Sequence, residues 1–297
     1  MKVLVTGATG YVGSLLVPAL AEAGHDVSAA SRSRVGDHHW PDGVRGVHFD
    51  VTEPDSVRAA LDGQDAAFYM VHSMESVDFA QLDREAALLF AGACEDAGVS
   101  RLVYLSGLVP DGVLSEHLRS RLEVEELFLQ SSVPTVVLRA AMVVGAGSTS
   151  FELLRRISRR VPVTPVPRWM HSRMQPVAID DVLHLLLRSL TTDATGRAYD
   201  VGGDEVVTYP ELLKLFARID GISRLQLSPP IAPRFLVGPV VAALAGMDSD
   251  EVTALIESLR HDMVCTEDDV RSLVAAPGHR FLGVEESIRS ALADTRA

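Results

Sequence analysis

Positive charge is scarce in this chain. Its 297 residues carry 27 Lys and Arg against 40 Asp and Glu, a formal net charge of −13. That balance argues against nonspecific nucleic-acid binding, which needs a basic face for phosphate contacts. Cysteine is also scarce. Cys94 and Cys265 are the only two, too few for a disulfide framework. Cys94 lies among apolar neighbours in an expected helix and reads as a core residue. No apolar run is long enough to span a membrane: the uncharged stretch 235–247 is far too short and Pro239 interrupts it. It reads instead as a packed helix. His38-His39 has no cysteine or carboxylate cluster at ligand spacing, so no metal site is expected. Met1-Lys2 leads directly into an apolar strand with no signal-peptide pattern ahead of it, and the expected compartment is the cytoplasm. Repeats and low-complexity tracts are lacking too.

What is present starts at the first residues. Val3-Leu4-Val5-Thr6 reads as an apolar strand, Gly7-Ala8-Thr9-Gly10-Tyr11-Val12-Gly13 as a turn, and 14–23 as an apolar-periodic helix. Strand, glycine turn and helix in that order open a nucleotide-binding βαβ unit. Gly7 permits the turn, Gly10 lets backbone approach a pyrophosphate, and Gly13 lets helix and strand pack closely. The helix start supplies N–H donors and the positive end of a dipole. The cofactor contacts expected here come from Gly7, Thr9, Gly10, Tyr11, Val12 and Gly13.

Strand and helix patterns then alternate. Strands are expected at 27–30, 46–50, 66–71, 101–106 and from 134. Helices are expected at 54–61, 78–97 and 116–129. Near-continuous apolar strands separated by helices imply an α/β fold, a Rossmann-type doubly wound parallel sheet covered on both faces. With 47% hydrophobic residues the chain can build a large core and an appended lobe. Residues 1–144 are assigned to the dinucleotide-binding domain, rejoined by 175–195. A smaller substrate-side lobe takes 145–174 and 196–297, including a strand at 198–201. Within it, Arg155, Arg156, Arg159 and Arg160 fall on one helix face, whose default reading is solvated. Trp169, between Arg168 and Arg173, suits either an anionic or flat ligand or simple lobe packing.

The end of the second strand bears on cofactor choice. NAD-binding chains usually place an acid there for the ribose 2′-hydroxyl. Here the residues are Ser31-Arg32-Ser33-Arg34. Arg32, with Ser31, can bind a 2′-phosphate that an acid would repel. NADP(H) is therefore expected in preference to NAD(H).

The Gly-x-x-Gly-x-x-Gly spacing and the wording Thr-Gly-Ala-Thr-Gly resemble the extended and atypical short-chain dehydrogenase/reductase superfamily. Tyr69-Met70-Val71-His72-Ser73-Met74, His117-Leu118-Arg119-Ser120-Arg121, Leu138-Arg139-Ala140-Ala141 and Gln175-Pro176-Val177-Ala178-Ile179-Asp180-Asp181-Val182 narrow the match. Over roughly 1–275 the chain is similar to NmrA-like and complex I 39 kDa-subunit-like NAD(P)-binding proteins, often labelled nucleoside-diphosphate-sugar epimerases. The resemblance implies that Asp50, with Val51, meets the adenine. It places Val71 and His72 beneath the cofactor ribose, with a satisfied polar turn residue as the alternative reading of His72, and Ala141 beside the nicotinamide. Arg139 reads instead as an ion-pair partner.

Ser106 stands where the family has its catalytic Ser or Thr, a hydroxyl that hydrogen-bonds a developing alkoxide. The family's Tyr and Lys, four residues apart on the next helix, are missing. His117 and Arg121 occupy that spacing on one helix face. Imidazole can exchange a proton near neutral pH, whereas arginine can hold ribose hydroxyls but stays charged. Ser106, His117 and Arg121 are thus the candidate catalytic residues. Two functions follow: an oxidoreductase passing hydride to a small carbonyl, enone or quinone-like acceptor, or a non-catalytic NADP(H) sensor or structural protein acting through a protein partner.

Overall fold

The structure is a computed structural model that describes residues 1–33, 36, 38–71, 79–112, 114–161, 163–223, 225–227 and 234–295. Its first half alternates β1 (Lys2–Val5), α1 (Tyr11–Glu22), β2 (Asp26–Ser31), β3 (Val44–His48), α2 (Pro54–Leu61), β4 (Ala66–Tyr69), α3 (Phe79–Asp96), β5 (Arg101–Gly107), α4 (Glu116–Gln130) and β6 (Thr135–Ala140). There follow β7 (Val143–Val144), α5 (Thr149–Arg160), β8 (Val163–Pro165), a 3-10 turn at Arg168–His171, β9 (Arg173–Met174), β10 (Val177–Ala178), α6 (Ile179–Ser189) and β11 (Arg197–Val201). The chain closes with β12 (Val207–Thr208), α7 (Tyr209–Ile219), β13 (Leu225–Leu227), α8 (Arg234–Ala245), α9 (Ser249–Ser258), α10 (Asp269–Leu273) and α11 (Val284–Asp294).

Seven parallel strands form the main sheet in the order β11-β6-β5-β4-β1-β2-β3. The strand order reverses at β1, and a crevice opens there beyond the carboxyl ends, where such sheets hold ligands. Alternate residues of each strand feed opposite faces. Val3, Val5, Val27, Phe68 and Leu138 join α1 and α6 in one core. Leu4, Ala67, Tyr69, Tyr104 and Val137 join α2, α3 and α4 in another. Cys94 sits in the second core, and burial pushes its thiol up to about 12. A third core gathers α5, α7, α8, α9 and α11 around Phe151, Leu213, Phe216 and Ile288.

Several boundaries differ from those read in the sequence. The segment 198–201, assigned above to the smaller lobe, belongs to β11, which pairs with β6 at the edge of the main sheet. Tyr199 and Val201 are fully buried in the first core, and the one acid between them, Asp200, faces Arg139 across the strand pair. α1 begins at Tyr11 rather than near residue 14. β3 ends at His48, so Asp50 lies in the turn beyond it.

The arginine face of α5 is not simply solvated. Arg155 and Arg156 pair with Glu152, and Arg159 grips Asp220 at 2.7 Å. Arg156 and Arg160 donate to the carbonyls of Gly246 and Ala245, at 2.8 and 2.6 Å. Ala245 is the last residue of α8 and Gly246 follows it, and carbonyls at a helix end lack partners within the helix. Among the described residues no helix is long and apolar enough to cross a membrane.

Candidate functional site

The glycine turn sits at the strand-order reversal. Gly7 has φ +62°, a left-handed conformation that glycine adopts without strain, and a Cβ there would lie 2.7 Å from the Met70 carbonyl oxygen. A Cβ on Gly13 would meet the Gly7 carbonyl oxygen at 2.3 Å. Helix and turn therefore pack with no room for a side chain. Gly10 is different: a Cβ there would meet the Gly7 oxygen at 3.2 Å and otherwise open space. Gly10 also caps α1 with no side-chain hydrogen bond. The first N–H groups of the helix, beginning at Tyr11 and Val12, thus face outward without a capping oxygen. Thr9 is exposed beside them. A cradle of bare backbone with free donors fits a pyrophosphate.

The Tyr11 side chain points away from that cradle. Its hydroxyl is buried without a partner, and a Cβ on Gly145 would overlap it. Burial and the nearby Asp180 and Asp294 carboxylates push its pKa up. Thr6, which was not singled out in the sequence, ties the turn to the sheet: its hydroxyl donates to the Phe68 carbonyl and accepts from Met70 N–H, both at 3.0 Å. The signal for it was position, since a threonine at a strand end can bond backbone on either side.

At the β2 edge, Arg32 is exposed and Ser31 half-buried. The Asp50 carboxyl is held below its ordinary value, first by hydrogen bonds from Thr52 and then by the charge of Arg32. Asp50 Oδ1 accepts from Thr52 N–H at 2.8 Å and from its hydroxyl at 2.6 Å, so the acid also builds the turn into α2. Val51 and Val71 are half-buried against the second core. His72, with Ser73 and Met74, and likewise Arg34, lie outside the described residues. Ala141 N–H donates to the Val201 carbonyl at 2.9 Å, and the residue is 8% exposed.

At the end of β5, Ser106 is 2% exposed, and its hydroxyl lies beside that of Tyr104, where it opposes the upward push that burial gives the Tyr104 pKa. It lies on the same strand face as Tyr104, toward α4. Arg121 reaches from α4 to donate to the Leu105 carbonyl at 2.9 Å, while its Nε is buried and unpartnered. That Nε lies 3.8 Å from where a Gly107 Cβ would be, an ordinary contact distance. His117 stands one helical turn before Arg121, with its ring 6.4 Å from that of Phe79. Burial, aided by the Arg121 charge, lowers its pKa to about 4. The ring is therefore neutral at pH 7.

The structure thus gathers Ser106, Arg121 and His117 at one sheet end, with β4 between β5 and the glycine strand. Next to them Arg139 forks onto Glu125 at 2.5–3.2 Å and lies 3.8 Å from Asp200. The ion-pair role read for Arg139 is what the structure contains. Trp169 packs against the third core, with its indole N–H buried and unpartnered, and Arg173 is paired with Asp262 at 2.8 Å. Among the described residues no cluster of His, Cys, Asp and Glu could hold a metal ion.

The family model described as NAD(P)H-binding matches residues 7–156. The chain belongs to this family. It is 25% identical over 244 residues to the Dictyostelium discoideum NADH dehydrogenase [ubiquinone] 1 alpha subcomplex subunit 9, a match covering 78% of this chain and 67% of that protein. It is 35% identical over 114 residues to the 2-alkyl-3-oxoalkanoate reductase of Stenotrophomonas maltophilia, covering 36% of this chain and only 33% of the reductase. In fold it is similar to the Citrobacter sp. triphenylmethane reductase solved with NADP(H), with TM-score 0.77, 19% identity, and coverage of 98% and 100% of the two chains. The family's NAD(P)H-binding region thus contains both the glycine turn and the Ser106 group.

Proposed function

We propose that this member of the NAD(P)H-binding family is an NADP(H)-dependent oxidoreductase that passes hydride to a small carbonyl, enone or quinone-like acceptor. One observation carries the reading. Among the described residues Ser106 Oγ has only the neighbouring Tyr104 hydroxyl and Arg121 Nε has no partner, and both lie at the same carboxyl end of the sheet as the glycine cradle. Leaving a buried polar group unpaired costs about 1–3 kcal/mol, and a ligand that supplies its partner removes that cost.

The bound nicotinamide supplies the hydride chemistry; the residues supply position and charge. Arg121, anchored by the Leu105 carbonyl, turns its free Nε–H toward a ribose hydroxyl. Ser106 donates its hydroxyl hydrogen to the acceptor oxygen as negative charge develops there. With a pKa of about 4, only about one His117 ring in a thousand is protonated at pH 7. The ring therefore serves as a neutral hydrogen-bond donor or relay from water, not as a resident acid. Arg32 and Ser31 bind the 2′-phosphate, and the third core, with 145–174 and the chain beyond β11, forms the substrate-side lobe.

The test follows NADPH absorbance with quinones, enones and aldehydes. An active acceptor is expected. With it, Ser106→Ala should lose about two to three decades of turnover, as removal of an oxyanion donor does, while NADPH affinity holds. NADPH binding without turnover on any acceptor would instead favour a non-catalytic cofactor-binding protein acting through a partner. The neutral His117 and the likeness to a respiratory-complex subunit are what support that second reading.

A further inference from the structure

The helices α8 and α9 pack over α5 and leave a cavity of about 200 Å³ beneath them. Leu153 and Ile157 of α5 form one wall, Val241 and Ile256 another, and Met170 of the 3-10 turn closes it. Among the described residues no charged side chain lines it. None of its residues belongs to the glycine turn or to the Ser106 group.

Two features set this cavity apart from a packing defect. Thr164 of β8 lines it, is 6% exposed, and has a buried hydroxyl with no hydrogen-bond partner. Apart from Tyr209, the described wall offers that hydroxyl only apolar side chains. At the rim, Val240 and Leu244 are 53% and 48% exposed, so the space opens to solvent between apolar side chains. An apolar hole of this size weakens a fold, and a buried hydroxyl without a partner weakens it further. One molecule with hydrocarbon surface and a single oxygen would remove both penalties.

We infer that the cavity binds a small, neutral, mostly hydrocarbon molecule with one hydrogen-bonding oxygen, which Thr164 holds. The size follows from volume: an apolar cavity of roughly 150 Å³ accepts the six heavy atoms of benzene, so this one, about a third larger, holds about eight, with room for roughly two or three more at its open rim. The described wall carries no charge, which favours a neutral ligand, since an unpaired ion is not buried among hydrocarbon. The site stands independently of the hydride-transfer reading.

The experiment titrates the full chain by fluorescence with 1-naphthol and with naphthalene, which lacks the oxygen. Both should bind saturably at one site. 1-Naphthol should bind tighter by about three- to tenfold, the value of one neutral hydrogen bond. Thr164→Val should erase that advantage and keep naphthalene binding. Leu244→Trp, placed at the exposed rim where it does not threaten folding, should weaken both ligands at least about tenfold by filling the mouth. Its circular dichroism and NADPH affinity should be unchanged. No saturable binding of either compound would overturn the proposal. So would binding indifferent to Leu244→Trp, or a 1-naphthol advantage that survives Thr164→Val.

Discussion

Two side chains decide how much of the proposed chemistry is real. Arg32 stands exposed where an acid would mark NAD, and its charge already reaches Asp50. A charge-assisted contact to a 2′-phosphate is worth about 1.5–3 kcal/mol. Arg32→Ala should therefore cost about one to two decades of NADPH affinity and leave NADH almost unchanged. Calorimetric titration of both cofactors checks this, and equal wild-type affinities would reduce Arg32 to a loop residue. His117 is the second. His117→Phe keeps a ring and removes both nitrogens. If the imidazole relays a proton, turnover should drop by roughly two to four decades with NADPH affinity retained. The acid limb of the pH–rate profile should lie near 4, where burial has moved this group, rather than near 6.5. Turnover intact in the variant would leave His117 a packing residue beside Phe79.

Among the elements, the pairing of β6 with β11 places charge inside the molecule. Arg139 bridges Glu125 of α4 and Asp200 of β11, and the Glu125 side chain is only 2% exposed. Asp200 is also held by Thr266, whose N–H and hydroxyl donate at 2.9 and 2.8 Å. Glu125 depends on Arg139. Arg139→Met strands a buried carboxylate and should cost about 3 kcal/mol, the low end for a broken buried pair, since Arg139 is itself partly exposed. Adding Glu125→Leu should restore most of the loss, because the uncompensated charge goes with it. Urea midpoints of the single and double variants measure this, and a double variant no more stable than the single would refute it.

For the whole molecule, three histidines set a pH dependence. His25, His117 and His184 all have lowered pKa values, first by burial. His184 also stacks on His279 at 3.8 Å, and His279 bonds Asp181. Above the ordinary value of 6.5 all three are neutral, folded or unfolded. Below it the unfolded chain takes up protons that the folded chain refuses, so stability falls with pH. For His117 the loss levels off near 4 and amounts to at most about 3 kcal/mol. The urea midpoint should drop between pH 7 and pH 5, a window above most carboxylate titration, and the drop should shrink in His117→Phe. An equal midpoint at both pH values would contradict this.

The order of strands and helices, the glycine turn and the parallel sheet could be read from residues alone, because each is a local matter. A strand buried on both faces must be apolar throughout, a left-handed turn selects Gly7, and Gly13 answers a contact only six residues back. The spacing of His117 and Arg121 was local too, since one helical turn brings them to one face. What depended on tertiary structure was long-range. β11 joins the main sheet because Tyr199 and Val201 find the first core and Asp200 finds Arg139, contacts made across some sixty residues of chain. The α5 arginines serve carbonyls at the end of α8, a partner no helical pattern announces. The His117 pKa and the unpaired Thr164 hydroxyl and Arg121 Nε follow from burial. Burial is a property of what distant segments place around a residue, and only packing in three dimensions decides it.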